Sequence, residues 1–281
     1  IGSVLSAFMG LSVCWWKSDH NTHHVVCNAV EHDPNIQHMP MLAITKKIFE
    51  KGPFWDSYHK RTVAMDYIAR ALVSYQHLFF YPLMALGRFN LYAQGLIFLI
   101  SKPDTMHYQK TELAGLAVFF AWLSALVYAM PSWQVGLGWL LVSHAVAGVL
   151  HVQIVLSHWS METYTGTPYT SKETEWYLMQ LRTTMNVATP EWLDFVHIGL
   201  QFQIEHHLYP RLPRHNLRKA RKMVKAIAAK HGIHYHEPGF FAGNVEMWKA
   251  LKVAAMDARA TKKGDGGFYQ SALWEGLNLS G

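Results

Sequence analysis

The sequence LAGLAVFFAWLSALVYAM at residues 113–130 decides the class of fold, and QVGLGWLLVSHAVAGVLHVQIVLS at residues 134–157 follows it closely. The first stretch contains no Asp, Glu, Lys, Arg or His, and the second contains only His144 and His151 from that group. A helix needs about 20 apolar residues to cross the hydrocarbon core of a bilayer. Both stretches are therefore predicted to be transmembrane helices, joined by a tight hairpin at residues 131–133.

The rest of the chain adds shorter apolar segments to these two spans. Overall, 51% of the residues are hydrophobic and 16% are charged, which is apolar for a soluble protein. Residues 71–100 are apolar but interrupted by Gln76, Pro82 and Arg88, which favours an interfacial or re-entrant helical hairpin over a full span. Residues 1–16 are predicted to be the last part of a membrane helix. The predicted fold class is an all-α integral membrane protein with two complete spans and a partial one.

Two short clusters carry the chemistry: HNTHH at residues 20–24 and QIEHH at residues 203–207. Each places three donors at positions i, i+3 and i+4, which share one face of a helix. Imidazole is a common ligand of zinc, copper, iron and nickel. One such motif arises easily by chance among 18 histidines, but two on the same template predict a metal site. Its predicted donors are His20, His23, His24, Gln203, His206 and His207.

The number of membrane crossings determines whether the two clusters can share a site. With two spans between them, HNTHH and QIEHH emerge on the same side of the membrane. Lys and Arg residues are frequent in the flanking segments, for example at residues 46–61, and absent from the hairpin at 131–133. The positive-inside rule then predicts a cytosolic metal site. A third complete span within residues 71–87 would contradict this hypothesis.

A third set of donors recurs every seven residues in the second span: His144, His151 and His158. His144 and His151 are predicted to form hydrogen bonds between helices, whereas His158, at the cluster end of the span, is predicted to complete the metal coordination. Glu205 lies on the other face of its helix and is predicted to orient neighbouring groups rather than bind metal. Further polar candidates without a spacing argument are assigned structural or surface roles: Asn186, His197, His32 and His38.

The excess of basic residues is concentrated at residues 211–230, which contain eight Lys or Arg and no acidic residue. Apolar residues recur there at helical spacing, so the segment is predicted to be an amphipathic helix that faces either anionic lipid headgroups or water. No nucleic-acid-binding module accompanies the charge, and nucleic acid is not an expected partner. The two cysteines, Cys14 and Cys27, are predicted to be free thiols in a reducing compartment.

With these motifs in place, the sequence resembles the membrane-bound fatty acid desaturases of the front-end type. The resemblance rests on WWK at 15–17 before HNTHH, EHDPNIQH at 31–38 and LQFQIEHHLYPRLPR at 200–214, and extends through VSYQH at 73–77 to WEGLN at 274–278. Gln203 in place of the first histidine of the last box is the mark of the front-end branch. Ile198 stands where the family usually has glycine.

The resemblance implies a centre of two iron ions held by three histidine boxes in a cytosolic helical cap. His20, His23 and His24 would form the second box, Gln203, His206 and His207 the third, and His158 would be an extra ligand. No catalytic residue beyond the metal ligands is implied. The first box and a cytochrome b5-like domain are expected upstream of residue 1. Residues 1–281 are thus interpreted as a single desaturase domain, incomplete at its N-terminus and inactive alone.

The implied reaction is the introduction of a cis or trans double bond into a lipid acyl chain or a sphingoid base, with O2 as co-substrate. The expected substrate is an acyl-lipid, an acyl-CoA or a ceramide, and electrons would come from cytochrome b5 and its reductase. The expected location is the endoplasmic reticulum membrane, with the metal site facing the cytosol. Alternatives are a hydroxylase on the same scaffold, a metal or proton transporter using the histidine stripe, and a catalytically inactive relative.

Overall fold

The computed structural model describes residues 2–101, 108–166 and 173–261, and these residues are mainly helical. Residues 274–278, which contribute to the family resemblance, lie outside the described ranges. The helices are α1 (Gly2–Met9), α2 (Val13–Val26), α3 (Tyr67–Val73), α4 (Gln76–Ala85), α5 (Gly87–Ser101), α6 (Gln109–Tyr128), α7 (Trp133–Trp159), α8 (Glu173–Thr183), α9 (Asp194–His197), α10 (Gln203–Leu208), α11 (Arg214–Lys230) and α12 (Phe240–Ala260). Strands β1 (Phe54–Asp56) and β2 (Arg61–Val63) form a small antiparallel hairpin, and single 3₁₀ turns lie at Pro34–Ile36, Lys46–Ile48 and Glu191–Leu193.

The two predicted spans are confirmed as helices. α6 has 20 residues and α7 has 27, and both are apolar and long enough to cross a membrane. α4 and α5 together also pass this test, but they meet at a bend of 70°, which fits a broken span or a re-entrant segment. The interfacial or re-entrant hairpin therefore stays a prediction, and the first three residues of the segment at 71–100 belong instead to α3.

The described residues divide into two compact units, and α2, α4 and α7 contribute residues to both. The first unit contains residues 2–21 and 79–152. Its N-terminal helix is interrupted because Gly10 has a φ of +67° and the Phe119 ring fills the space where a side chain would be. Ser12 then caps α2: its Oγ accepts the backbone N–H of Trp15 at 3.1 Å and donates to the Glu112 carboxylate at 2.7 Å. The expected membrane helix in residues 1–16 is therefore two helices.

His144 and His151 belong to the first unit and form the hydrogen bonds that the sequence predicted. His144 donates from Nδ1 to the Leu140 carbonyl at 2.8 Å, which leaves Nε2 to accept from the Tyr92 hydroxyl of α5 at 3.2 Å. His151 donates from Nδ1 to the Met84 carbonyl of α4 at 3.1 Å. These contacts give both side chains a structural role within the unit, as is usual for polar groups in membrane helices.

The second unit contains residues 22–78 and 153–261 of the described chain. α12 buries one face, and its backbone is tied to the start of α4, because Gln76 donates to the Leu251 carbonyl at 2.8 Å. An apolar cluster packs α8, α10 and α11 together and fixes α10, the helix that carries QIEHH. The buried members of that cluster are Leu181, Ile204, Leu208, Val224 and Ala228.

α11 confirms the predicted basic amphipathic helix. It buries Leu217, Val224 and Ala228, while most of its Lys and Arg side chains are exposed or half-buried. Arg221 and Lys225 pair with the Glu237 carboxylate that follows the helix. Whether the remaining basic face meets lipid headgroups or water stays a prediction.

Candidate metal centre

Five histidines from three helices come together in the second unit: His23 and His24 of α2, His158 of α7, and His206 and His207 of α10. We call them the histidine cluster. The ring centroid of His207 lies 4.2 Å from that of His24, 4.9 Å from that of His23 and 4.8 Å from that of His158. The ring centroids of His24 and His206 are 4.6 Å apart, and those of His23 and His158 are also 4.6 Å apart. The two sequence motifs and the end of the second span therefore meet, as predicted.

Within the cluster, His23, His158 and His207 form a buried group with Cys27, and one potential ligand atom from each lies within 4.8 Å of the others. His24 and His206 form a second contact, in which their Nε2 atoms are 3.1 Å apart. Imidazole nitrogens at such separations are close enough to coordinate a shared ion. The site thus offers donors from both histidine motifs and from His158.

The remaining two predicted ligands lie on the same helices as the cluster. His20 is one turn before His24 on α2 and stacks on Trp16, with ring centroids 5.2 Å apart. Gln203 is the first residue of α10 and is buried. Its Oε1 has no hydrogen-bond partner among the residues that the structure describes. The ligand roles of His20 and Gln203 stay predictions.

Hydrogen bonds on the outer side of the rings orient two of the imidazoles. His23 Nδ1 lies 2.9 Å from the Asp33 carboxylate, and His158 Nδ1 lies 3.3 Å from the Thr183 carbonyl oxygen. Both partners only accept, so each Nδ1 carries the proton and each Nε2 is left as the basic nitrogen. Outer hydrogen bonds of this kind are the usual support of metal-binding histidines.

The protonation states and the unused hydrogen-bonding capacity of the cluster fit a metal. Burial lowers the pKa of His206 to about 4, and burial together with neighbouring histidines lowers the pKa of His207 well below its usual value. Both rings are therefore neutral near pH 7 and keep a lone pair. His207 Nε2 is buried without a hydrogen-bond partner in the described part of the chain. A buried polar atom with no partner is costly unless something binds it.

Sequence reasoning did not place Cys27 or Asp33 in this site. Cys27 Sγ lies 3.4 Å from His158 Nδ1 and 3.8 Å from the Thr183 carbonyl oxygen. In the absence of metal, burial raises the pKa of this thiol. Cys14 and Cys27 are both free, as predicted. Asp33 belongs to the EHDPNIQH signature, but no spacing rule connects it with His23.

Glu205 faces away from the histidine cluster, as its helical position predicted. Its carboxylate accepts from Asn186 Nδ2 at 2.7 Å and from the Tyr235 hydroxyl at 2.8 Å. Asn186 Oδ1 also accepts the backbone N–H of Ile204 at 2.9 Å, so this network fixes the first turn of α10. Burial raises the pKa of Glu205. Glu205 and Asn186 therefore hold the helix that presents His206 and His207.

The other polar candidates have partners outside the cluster, which agrees with their predicted structural role. His197 Nδ1 lies 2.7 Å from Gln153 Oε1, and His32 Nδ1 lies 2.7 Å from the Ser57 hydroxyl. His38 donates to the Asn35 carbonyl at 2.9 Å.

Comparison with known proteins identifies the family of this chain. The family model described as fatty acid desaturase matches residues 1–239. The chain is 38% identical to a Delta(8)-fatty-acid desaturase of Helianthus annuus over 97% of its own length and 57% of that protein. It is 40% identical to a Delta 8-(E)-sphingolipid desaturase of Emericella nidulans over 92% of the chain and 48% of that protein. It is 37% identical to an acyl-lipid (9-3)-desaturase of Borago officinalis over 97% and 59%.

The chain thus spans less than two thirds of each of these relatives, and no solved structure matches it. The matched region includes the two spans and the whole histidine cluster. With its paired apolar helices and converging histidines, this chain belongs to the fatty acid desaturase family.

Proposed function

We propose that the protein to which this chain belongs is a front-end lipid desaturase with a di-iron centre. The observation that carries the proposal is the convergence of both histidine motifs with His158, in which potential ligand atoms of His23, His158 and His207 lie within 4.8 Å of one another. The desaturase names of the relatives support it and favour desaturation over hydroxylation or transport. The hydrogen bonds of His144 and His151 also remove the support for a histidine transport pathway.

The donor set indicates how two ions would be shared. His23, His158 and His207 would hold one iron, and His24 and His206 the other, with His20 and Gln203 as the additional donors that the sequence predicts. Bound iron would supply the O2-derived oxidant needed to remove hydrogen from an unactivated methylene, which no side chain supplies. The hydrogen bonds that His23 and His158 donate from Nδ1 to Asp33 and Thr183 orient these two rings.

The electron balance requires an external donor. Removing two hydrogen atoms from adjacent carbons supplies two electrons, while reduction of O2 to two water molecules consumes four. The remaining two electrons, with two protons, must come from a redox partner, for which we propose a cytochrome b5-like domain and its reductase. The chain's basic surface, including α11, lies on the same unit as the histidine cluster.

The proposed substrate is a lipid acyl chain or the long-chain base of a sphingolipid, carried as an acyl-lipid, acyl-CoA or ceramide. The relatives have names of both kinds, Delta(8)-fatty-acid, acyl-lipid and sphingolipid desaturase, and this is the support for keeping both. We propose the endoplasmic reticulum membrane as the location and the cytosol as the side of the metal centre. The support is the basic character of the segments around both motifs.

The test is expression of the full-length protein in a host of known lipid composition. Fatty acids and long-chain bases are analysed separately, and the position of any new double bond is determined by mass spectrometry. His206→Ala should abolish the product because it removes a cluster nitrogen, whereas His215→Ala, an exposed histidine of α11, should leave it unchanged. Unchanged host lipids, a hydroxylated product, or full activity of His206→Ala would refute the proposal.

A further inference from the structure

Gln180 of α8 connects the two histidine motifs. It is 1% exposed, and both ends of its side-chain amide are engaged. Its Oε1 lies 2.9 Å from His207 Nδ1, in the second motif, and its Nε2 donates to the backbone carbonyl of His24, in the first, at 3.2 Å. Neither the spacing of the histidines nor the sequence motifs predict this role for Gln180.

The two bonds together fix the proton of His207. The His24 carbonyl oxygen only accepts, so the NH2 group of Gln180 must face it and the amide oxygen must face His207. An amide oxygen also only accepts, so His207 must carry its hydrogen on Nδ1. With the hydrogen on Nδ1, the ring keeps its lone pair on Nε2, the buried atom that has no partner among the described residues.

We propose that Gln180 is a positioning residue of the metal centre, which holds His207 in the tautomer and orientation that coordinates iron. The inference rests on the proposed function and deepens it. The support of His207 also differs from that of His23, whose Nδ1 is held by the Asp33 carboxylate. An amide fixes the proton of His207 without adding negative charge beside the ring.

The first experiment measures ferrous iron binding to the purified full-length protein after removal of metal, under anaerobic conditions. Loss of an outer hydrogen-bond partner of a metal ligand typically weakens metal binding by about 10 to 100-fold, so we expect Gln180→Met to raise the Kd for ferrous iron by that factor. Gln180→Glu should recover most of the affinity, because a buried protonated carboxyl group accepts from His207 and donates to the His24 carbonyl.

A matched control is available in the same unit. Gln153 is also buried and also accepts from a histidine Nδ1, that of His197, at 2.7 Å, but this pair lies outside the histidine cluster. Gln153→Met should therefore leave the Kd for ferrous iron unchanged. A loss equal to that of Gln180→Met would show that any lost glutamine–histidine bond weakens binding, and would overturn the inference.

A double-mutant cycle separates positioning from a general structural effect. If Gln180 acts through His207, then Gln180→Met should cause no further loss of iron affinity in a His207→Ala background. Losses that multiply in the double variant would overturn the inference, as would wild-type affinity of Gln180→Met. Should Gln180→Met fail to fold, Gln180→Asn, whose shorter side chain keeps a polar amide but withdraws it from His207, takes its place in the same cycle. A wild-type protein that binds no iron would instead refute the proposed function, and the inference with it.

Discussion

Replacement of Asp33 by asparagine is expected to destabilise the loop that follows α2. Asp33 is fully buried, and each of its oxygens accepts a backbone N–H: Oδ2 from Asn28 at 2.7 Å and Oδ1 from Asn35 at 2.8 Å. Both oxygens also lie about 3 Å from His23 Nδ1. Asparagine has the same shape but only one oxygen, so in either orientation its NH2 group faces a backbone donor.

The expected loss follows from that conflict. A buried donor without an acceptor costs roughly 1–3 kcal/mol, and the surviving bonds lose the contribution of the negative charge, so Asp33→Asn should lower the free energy of unfolding by about 2–4 kcal/mol. The measurement is chemical unfolding of detergent-solubilised protein with a chelator present, which removes the contribution of bound metal.

Asp66 provides the matched comparison. It is equally buried and caps α3, where it accepts the Ala69 N–H at 2.7 Å. Asparagine caps helices about as well as aspartate, so Asp66→Asn should cost less than about 1 kcal/mol. Equal losses in the two variants, or an unchanged stability of Asp33→Asn, would refute the argument that both oxygens of Asp33 are required.

Two further predictions concern the loops around α10 and α11. Ile198 has a φ of +53° and is half-exposed, so Ile198→Gly should raise the free energy of unfolding by about 1–2 kcal/mol in the same assay, whereas Ile198→Ala, which keeps the Cβ, should give no gain. Burial disfavours the Glu237 carboxylate, but hydrogen bonds from Arg221 and then Lys225 outweigh it and hold the pKa of Glu237 below its usual 4.5. Its contribution to stability is therefore present above pH 4.5 and lost as the pH falls through the lowered pKa. The stability difference between wild type and Glu237→Gln should shrink over that range, and a difference that stays constant would contradict the assignment.

The backbone at Ile198 gives a physical reason to expect glycine at this position. The position ends α9 in the left-handed region, and Gly199 follows with a φ of +88°. Glycine adopts this conformation at no steric cost, whereas a β-branched residue is strained there. A glycine at position 198 would therefore relieve backbone strain in the turn before α10.

The sequence alone determined the features that depend on local periodicity. The two spans follow from uninterrupted apolar stretches, and the shared face of His23 and His24, like that of Gln203 and His206, follows from helical spacing. The prediction that both motifs lie on one side of the membrane also came from the sequence, by counting the two spans between them. These properties depend on residues close together in the chain, so a helix model is sufficient to predict them.

Only the tertiary structure decided which side chains support those histidines. Asp33, Gln180 and Thr183 contact the rings of His23, His207 and His158, respectively. His207 and Gln180 are 27 residues apart, on different helices, and no periodic pattern relates such positions. A hydrogen bond of this kind depends on distance and direction to within a few tenths of an ångström, and packing of the helices sets both. The sequence thus determined which nitrogens are available, whereas the packed fold determined which nitrogen of each ring keeps its lone pair.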